Sequence, residues 1–313
     1  VTADRFAPLT QFDLTALSRR GGSLIGAFRS ARATGIVVLA ISSILGLITI
    51  ATLAGSIVQL VTGVDRTDFA GPTAARLTAI PGAVFSLVLL GVAVFFVVRF
   101  FNAGFRRQRM AEFARTNGLE FVGYRSGAQL RGVGFQAPGD ARWHEHVVRG
   151  ILPGARFEVG NFEVTEQSKS RSGKSRTTTV VRFAYLAVRL PVKLPHTFFD
   201  ATQNGKWRVF GTDLVRWDLE GDFPSQFRTF TERGRERDML EIITPDVMQI
   251  FSDHGLDHDI ELTGDLLILM RPGANVADPA TIGELLGVGS TVASKLDERL
   301  RSWQRPGQER NHP

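Results

Sequence analysis

Two long stretches without a charged side chain, Ile36–Val64 and Leu77–Val98, constrain this chain more than any other feature. The hydrocarbon core of a bilayer requires about 20 apolar residues in helix, with every backbone N–H and C=O satisfied inside the segment. Both stretches are long enough, and the first is free of charge from Ala33 onward. The pair reads as a transmembrane hairpin with spans near 36–61 and 77–98. Two buried helices of a large soluble protein can also be apolar all round, but arginines bracket both runs on the same side. A cleaved signal peptide fits poorly, because the first run starts late, is long and is followed by a second.

Cations set the expected orientation, since short loops rich in Arg and Lys stay on the cytoplasmic side. Arg19, Arg20, Arg29 and Arg32 precede the first run, and Arg99, Arg106, Arg107 and Arg109 follow the second. The link carries only Asp65, Arg66, Asp68 and Arg76. Both termini are therefore expected in the cytoplasm, with the arginines beside anionic lipid head groups. Pro81 is expected in the first turn of the second span, where its missing N–H costs nothing. No Asp, Glu, Lys, Arg or His lies within the spans, which weighs against an ion path or proton relay. Ser42, Ser43, Thr49, Thr52, Ser56 and Gln59 remain, and hydroxyls in such helices commonly bond back to their own carbonyls. Small residues four apart, Ser42/Gly46, Ala51/Gly55 and Gly82/Ser86, suit close packing of the hairpin or of a homo-oligomer.

The 313 residues leave room for one further domain of ordinary size, and the absence of cysteine excludes disulfides and thiolate chemistry. The formal net charge of +6 suits an anionic partner, of which the inner leaflet is the nearest. The expected division is a cytosolic N-terminal segment (1–35), the hairpin (36–98), a juxtamembrane helix (99–117), a cytosolic domain (118–305) and a tail (306–313). In the N-terminal segment Phe12, Leu14, Leu17, Leu24, Ile25 and Phe28 follow no clean period. It reads as an interfacial strip with a short helix opened by Thr10 or Asp13 and closed by Gly21-Gly22. Asn117-Gly118 is a helix stop.

Beyond Leu119 the period changes to that of strands. Strands are expected at 120–124, 144–150, 155–164 and 178–190, with 166–176 as a polar, basic hairpin loop. Pro191 and Pro195 should end the long strand. Further strands are expected at 217–220 and 227–231. Thr244-Pro245-Asp246 should open a helix that Gly255 stops, a hairpin should turn at Gly264-Asp265, and a helical region at 280–303 should break near Gly287–Gly289. The fold class is α+β, with an antiparallel sheet and flanking helices below the hairpin.

Few residues suggest chemistry. Ser172-Gly173-Lys174-Ser175 lacks the glycine at 168 and the strand-to-helix setting that a phosphate loop needs. His254 and His258, with acids around them, are the densest candidates for metal ligation, although Gly255 interrupts their helical spacing. His144 and His146 should share one face of a strand without a third ligand. Leu286–Leu296 is similar to a helix-hairpin-helix element in which Gly287 and Gly289 would present N–H groups to a nucleic-acid phosphate; a single copy on a membrane-tied chain weighs against nucleic acid as the partner. No nucleophile elbow or acid–base carboxylate pair stands out, and no cofactor is implied.

The motifs Phe113-Ala114, Asn117-Gly118, Phe121, Gly160-Asn161-Phe162, Leu190-Pro191 and Thr244-Pro245 resemble those of a group of uncharacterised bacterial membrane proteins with two N-terminal spans and a cytosolic domain of unknown function. The resemblance covers roughly 99–300, implies residence in the inner membrane, and carries no active site to transfer. The expected function is binding or scaffolding of a protein partner at the inner membrane surface. A membrane-tethered hydrolase or ligand sensor, and a tethered nucleic-acid binder working through 286–296, are the alternatives.

Overall fold

The computed structural model of the chain describes residues 7–19, 22–29, 33–62, 72–127, 130–152, 155–169, 175–205 and 213–303. It divides into two compact units, one of residues 20–108 and one built from the chain up to Arg19 together with the chain from Arg109 onward.

In the first unit, α2 (Leu24–Arg29), α3 (Ala33–Thr62) and most of α4 (Pro72–Thr116) follow one another. Two helices are long and apolar enough to cross a membrane, by residues Gly35–Thr62 and Ala79–Thr116. The second starts earlier than expected, so Pro81 lies inside α4 and not in its first turn. The side chains are arranged inside out. Ser42, Thr49, Ala79, Ser86 and Ala93 are buried, while Ile41, Ile44, Leu47, Val61, Phe85, Val88 and Phe95 are more than half exposed. Small residues bring α3 and α4 together, as their spacing predicts: Gly46 faces Ala93, and Gly82 faces Ser56. The Thr52 and Ser86 hydroxyls bond across the pair at 3.0 Å, and Thr49 and Ser56 bond back to carbonyls of their own helix.

The second unit is an α+β fold around a seven-stranded antiparallel sheet. Its strands are β1 (Glu120–Ser126), β2 (Ala141–Leu152), β3 (Ala155–Lys169), β4 (Ser175–Ala201), β5 (Leu214–Arg216), β6 (Phe227–Glu232) and β7 (Asp259–Pro272). The order is β1-β2-β3-β4-β6-β5, and β7 also pairs with β4. Phe183–Val188 pair with both β3 and β7, and Thr197–Phe199 with both β6 and β7, so β7 lies along the opposite edge of β4 from β3 and β6.

Two expectations fail at this central strand. Pro191 and Pro195 do not end β4, and Gly264 does not turn a hairpin. Between the pairs Arg189↔Leu266 and Thr197↔Leu262, β4 advances eight residues while β7 advances four. The surplus of β4 is a bulged stretch that holds both prolines, whose missing N–H groups are tolerated where the ladder is interrupted. Gly264 takes φ +56° in the facing strand, a conformation open to glycine, so β7 stays one strand. The strand expected at 217–220 is displaced to β5, and Trp207, Val209 and Phe210 lie outside the described residues.

Alternation along the strands gives the sheet two apolar faces. Val159, Ala184, Leu186, Val188 and Leu269 face a core closed by α6 (Glu236–Ile242), α7 (Pro245–His254) and α8 (Pro279–Trp303), with the short helix α5 (Phe223–Gln226) at its edge. Phe162, Phe183, Tyr185, Ile268 and Met270 face a second core, closed by Val133, Phe135 and Ala137 of the irregular strap 130–139. α7 begins at Pro245 as expected, but the Thr244 hydroxyl bonds to the Asp246 carboxylate and makes no backbone cap.

Residues 7–19 are no interfacial strip, although Leu24, Ile25 and Phe28 of α2 are exposed. A 3-10 turn at 7–10 and helix α1 (Thr15–Ser18) pack into the first core, where Leu9, Ala16 and Leu17 are buried beside Met110, Phe113 and Ala114. Residues 7–19 are therefore part of the domain that the sequence places at 118–305. The juxtamembrane segment 99–117 likewise divides between the two units at Arg109.

Candidate functional site

Three groups of polar side chains stand out in the sheet unit. The first joins the ends of the chain segments flanking residues 20–108. The Asn117 side-chain amide donates to the Asp13 carbonyl at 2.9 Å, and its oxygen accepts the Asp13 N–H at 2.8 Å. Arg109 Nη1 donates to the carbonyls of Leu17 and Arg19, at 3.3 and 3.2 Å. Phe12 lies edge-on to Phe113. Arg109, expected beside lipid, is instead engaged with the backbone of the N-terminal stretch. Arg99 and Arg106 are exposed on α4 and Arg107 is half-buried. The side chain of Arg29 and the whole of Arg32 lie outside the described residues.

The second group is a knot on β1–β4. Glu158 Oε1 accepts the Tyr185 hydroxyl at 2.7 Å, and both its oxygens accept Arg125, at 2.8 and 3.0 Å. Arg149 Nε adds a further bond at 2.7 Å. Burial pushes the Glu158 carboxyl up, but Tyr185, Arg125 and Arg149 outweigh it and hold the carboxyl below its usual range. Burial and the neighbouring Glu158 raise the Tyr185 phenol. His144 Nδ1 lies 2.8 Å from the Tyr185 hydroxyl, with the ring stacked on Phe135. Burial first, and Arg125 second, lower the His144 imidazole to about 4.

His144 and His146 do not share a face. The β2–β3 register shifts between Glu145 and Val148, and His146 adopts φ +56°. As a result His144 packs on Phe162, while His146 reaches Asn161, the neighbour that points to the other face. Asn161 in turn accepts the Val276 N–H at 2.9 Å and ties the loop before α8 to the sheet.

The third group couples the strap to β7. Glu261 is fully buried, and its two oxygens accept the Val133 N–H at 2.8 and 3.0 Å. His196 Nε2, on a ring less than a quarter exposed, lies 2.6 Å from Glu261 Oε1. A Cβ at residue 132 would come within 2.7 Å of the carboxylate, so glycine is what allows the strap to lie this close. Burial raises the Glu261 carboxyl, partly offset by His196 and by the Val133 N–H. A carboxylate aligning a partly exposed imidazole can pass a proton between interior and surface. Among the described residues the His196 ring bonds to Glu261 and to no hydroxyl that could serve as a nucleophile.

The metal candidates do not converge. His254 is exposed at the end of α7, whereas His258 is buried after the turn at Gly255. The His258 Nε2 lies 3.6 Å from Glu284 Oε1, and Arg271 already binds that glutamate. Among the described residues no group of three or more His, Asp or Glu side chains is placed to hold a metal. Burial, then Arg271, lower His258 to about 4. The glycine hairpin is also absent: α8 runs unbroken through Gly287 and Gly289. Helical hydrogen bonds occupy those backbone N–H groups, and a Cβ at 289 would come within 2.2 Å of Leu186, so Gly289 serves the packing of α8 on β4.

These shifts set the response to pH. His144 and His258 titrate near 6.5 when unfolded and near 4 when folded, so the unfolded chain takes up their protons first. Stability is expected to be complete above about pH 6.5 and to be lost as pH falls toward 4, by about 3 kcal/mol for each histidine. Glu261, raised in the fold, acts with the opposite sign: its contribution is complete below the ordinary carboxyl value and is lost as pH rises through the folded one. Denaturant titrations between pH 4 and 8 should show the acid limb flattened in His144→Gln and His258→Gln, and the other limb flattened in Glu261→Gln.

No protein-family model matches the chain, and neither does any curated protein. The crystal structure of the mycobacterial trehalose monomycolate transport factor A, TtfA, is similar over 63% of this chain and 94% of that one, with 10% identity and a TM-score of 0.44. A likeness of that size carries no argument about function.

Proposed function

We propose that the chain is a two-span protein of a bacterial inner membrane, and that its sheet unit is a cytoplasmic module that binds or scaffolds a protein partner at the membrane surface. The observation that carries the membrane reading is the contrast between the two units. α3 and α4 turn large apolar side chains outward and small or hydroxyl-bearing ones inward. In the sheet unit the exposed large hydrophobics among the described residues are only Tyr124, Ile151, Val180 and Leu240. A surface as apolar as that of α3 and α4 is stable against lipid, not water.

The cytoplasmic placement draws on the arginines flanking the helices and on the domain being built from both flanks. Residues 7–19 and 109–303 contribute to one core, which supports a reading in which both ends of the helix pair emerge on one side of the bilayer. The binding role draws on how the interior polar groups are used. Glu158 takes hydrogen bonds from Arg125, Arg149 and Tyr185 inside the fold, so this knot supports the structure and the surfaces of the unit are what would meet other molecules. Membranes from expressing cells provide the test: the chain should stay in the pellet after alkaline carbonate and high-salt washes and leave it with detergent. Release by carbonate alone would contradict the reading.

A further inference from the structure

Within the helix unit, residues 20–108, the short helix α2 has two opposed sides. One is pressed on α4: Ala27 is fully buried, and a Cβ at residue 104 would come within 2.7 Å of its methyl group. A Cβ at Gly26 or Gly22 would come within 2.8 or 2.6 Å of the Gln108 side-chain amide. The other side points away, with Leu24 60%, Ile25 67% and Phe28 43% exposed. The Phe28 ring lies 5.6 and 5.8 Å from those of Phe100 and Phe101. Contacts that pass from Gly22 beside Gln108 to Phe28 beside Phe100 make α2 antiparallel to α4, running toward the apolar stretch that ends at Val98.

The level of these side chains says what covers them. Phe28 is at the height of Phe100 and Phe101, and Ala27 at that of Gly104. At ~1.5 Å per residue these levels are about 3–5 Å and about 9 Å beyond Val98. Interfacial helices sink their apolar side roughly 5–10 Å into the boundary between head groups and acyl chains, which is the same zone. The exposed apolar surface then resumes at Ile36, Val37 and Val38 of α3. Lipid is therefore the occupant that fits α2 and the helices it adjoins alike.

The long helices do not fix their own depth. The stretches Gly35–Thr62 and Ala79–Thr116 have 28 and 38 residues, about 42 and 57 Å at the same rise, against a hydrocarbon core of about 30 Å. Length alone thus allows several positions along the bilayer normal.

We propose that α2 is an interfacial helix in the leaflet on the arginine-rich side, with Leu24, Ile25 and Phe28 against acyl chains, and that its packing on Gly104 and Gln108 sets the depth of α4. Arg99, exposed on α4 one residue past the apolar run, then extends outward to the lipid phosphates. The inference rests on the membrane reading above, and its test separates the two.

The chain has no cysteine, so single-cysteine variants of the full chain can carry an environment-sensitive fluorophore in phosphatidylglycerol–phosphatidylethanolamine liposomes. Lipids with nitroxides placed shallow or deep on the acyl chain serve as quenchers. A label at Leu47→Cys in α3 reports the anchor and should be quenched more by the deep nitroxide. One at Ile25→Cys should emit at blue-shifted wavelengths and be quenched more by the shallow nitroxide. Quenching at 47 with water-like, unquenched emission at 25 overturns the inference and leaves the anchor standing; absence of quenching at 47 overturns the anchor itself. Depth setting has its own readout. With Leu24→Asn and Ile25→Asn, which alter only the outward side of α2, a label at Val98→Cys should shift toward stronger quenching by the shallow nitroxide. An unchanged ratio of shallow to deep quenching at 98 overturns the depth-setting role.

Discussion

Replacing residues 20–108 by a short flexible linker between Arg19 and Arg109 is expected to yield a water-soluble, folded domain, whereas a chain that simply begins at Arg109 is not. The first protein keeps every element of the sheet unit. Its new connection is short, because Arg109 Nη1 already lies 3.2 Å from the Arg19 carbonyl. The second loses the stretch that buries Leu9, Ala16 and Leu17 against Met110, Phe113 and α8. Burial of each leucine contributes roughly 1.5–3 kcal/mol, in a fold whose total stability is expected to be about 5–15 kcal/mol. The truncated chain also uncovers the apolar surface that the stretch protects, so it should aggregate or melt without a cooperative transition. Circular dichroism melts and size-exclusion profiles of the two proteins check this. Equal behaviour would mean that residues 7–19 are not part of the core.

The second large effect is expected at Glu158. Replacing it with alanine leaves Arg125, with a side chain only 10% exposed, and Arg149 beside it, without the carboxylate that neutralises both. Removing one partner from a buried ion pair costs about 3–5 kcal/mol, because the charge left behind has no compensation. Arg149→Ala should cost far less, roughly 1 kcal/mol, since that side chain is more than a third exposed and Arg125 still holds the carboxylate. Glu158→Gln, which keeps an acceptor for Tyr185 but no charge, should fall between the two. Denaturant unfolding of the soluble fusion gives this order directly, and equal losses for all three variants would contradict the knot.

Much of this architecture is legible in the sequence, and the exceptions share a cause. The charge-free runs become α3 and α4 because nothing but a helix satisfies their backbones away from water, and alternating patterns place most of the strands. Thr244-Pro245 opens α7 because local chemistry alone decides a helix start. What sequence reasoning misses is set by partners far along the chain. Pro191 and Pro195 look like breakers until β4 is seen to need a bulge between its two registers with β7. Gly264 looks like a turn for the same reason, and Gly289 looks like a hinge until Leu186 is found against it. Leu9 and Leu17 show no period because the 3-10 turn and α1 are too short to have one; each simply reaches into a core assembled by other segments.

The polar groups were harder still. Arg109 carries the signature of a membrane-orienting cation, and only the fold shows the Leu17 and Arg19 carbonyls waiting for it. Glu158 and Glu261 are unremarkable acids in sequence, and nothing within a few residues of either announces that it will be buried. The His144–His146 pair misleads because a single bulge in β2 sends the two rings to opposite faces.

The central claim is that the two apolar helices cross a bilayer and return the chain to the cytoplasmic side, from which it left. In the cysteine-free chain, Ser18→Cys, Thr67→Cys and Thr116→Cys place single thiols before, between and after them. Treatment of intact cells with a membrane-impermeant maleimide should label only Thr67→Cys, with Ser18→Cys and Thr116→Cys labelled after permeabilisation. Labelling of Ser18→Cys and Thr116→Cys from opposite sides, or of either in intact cells while Thr67→Cys is protected, would contradict it.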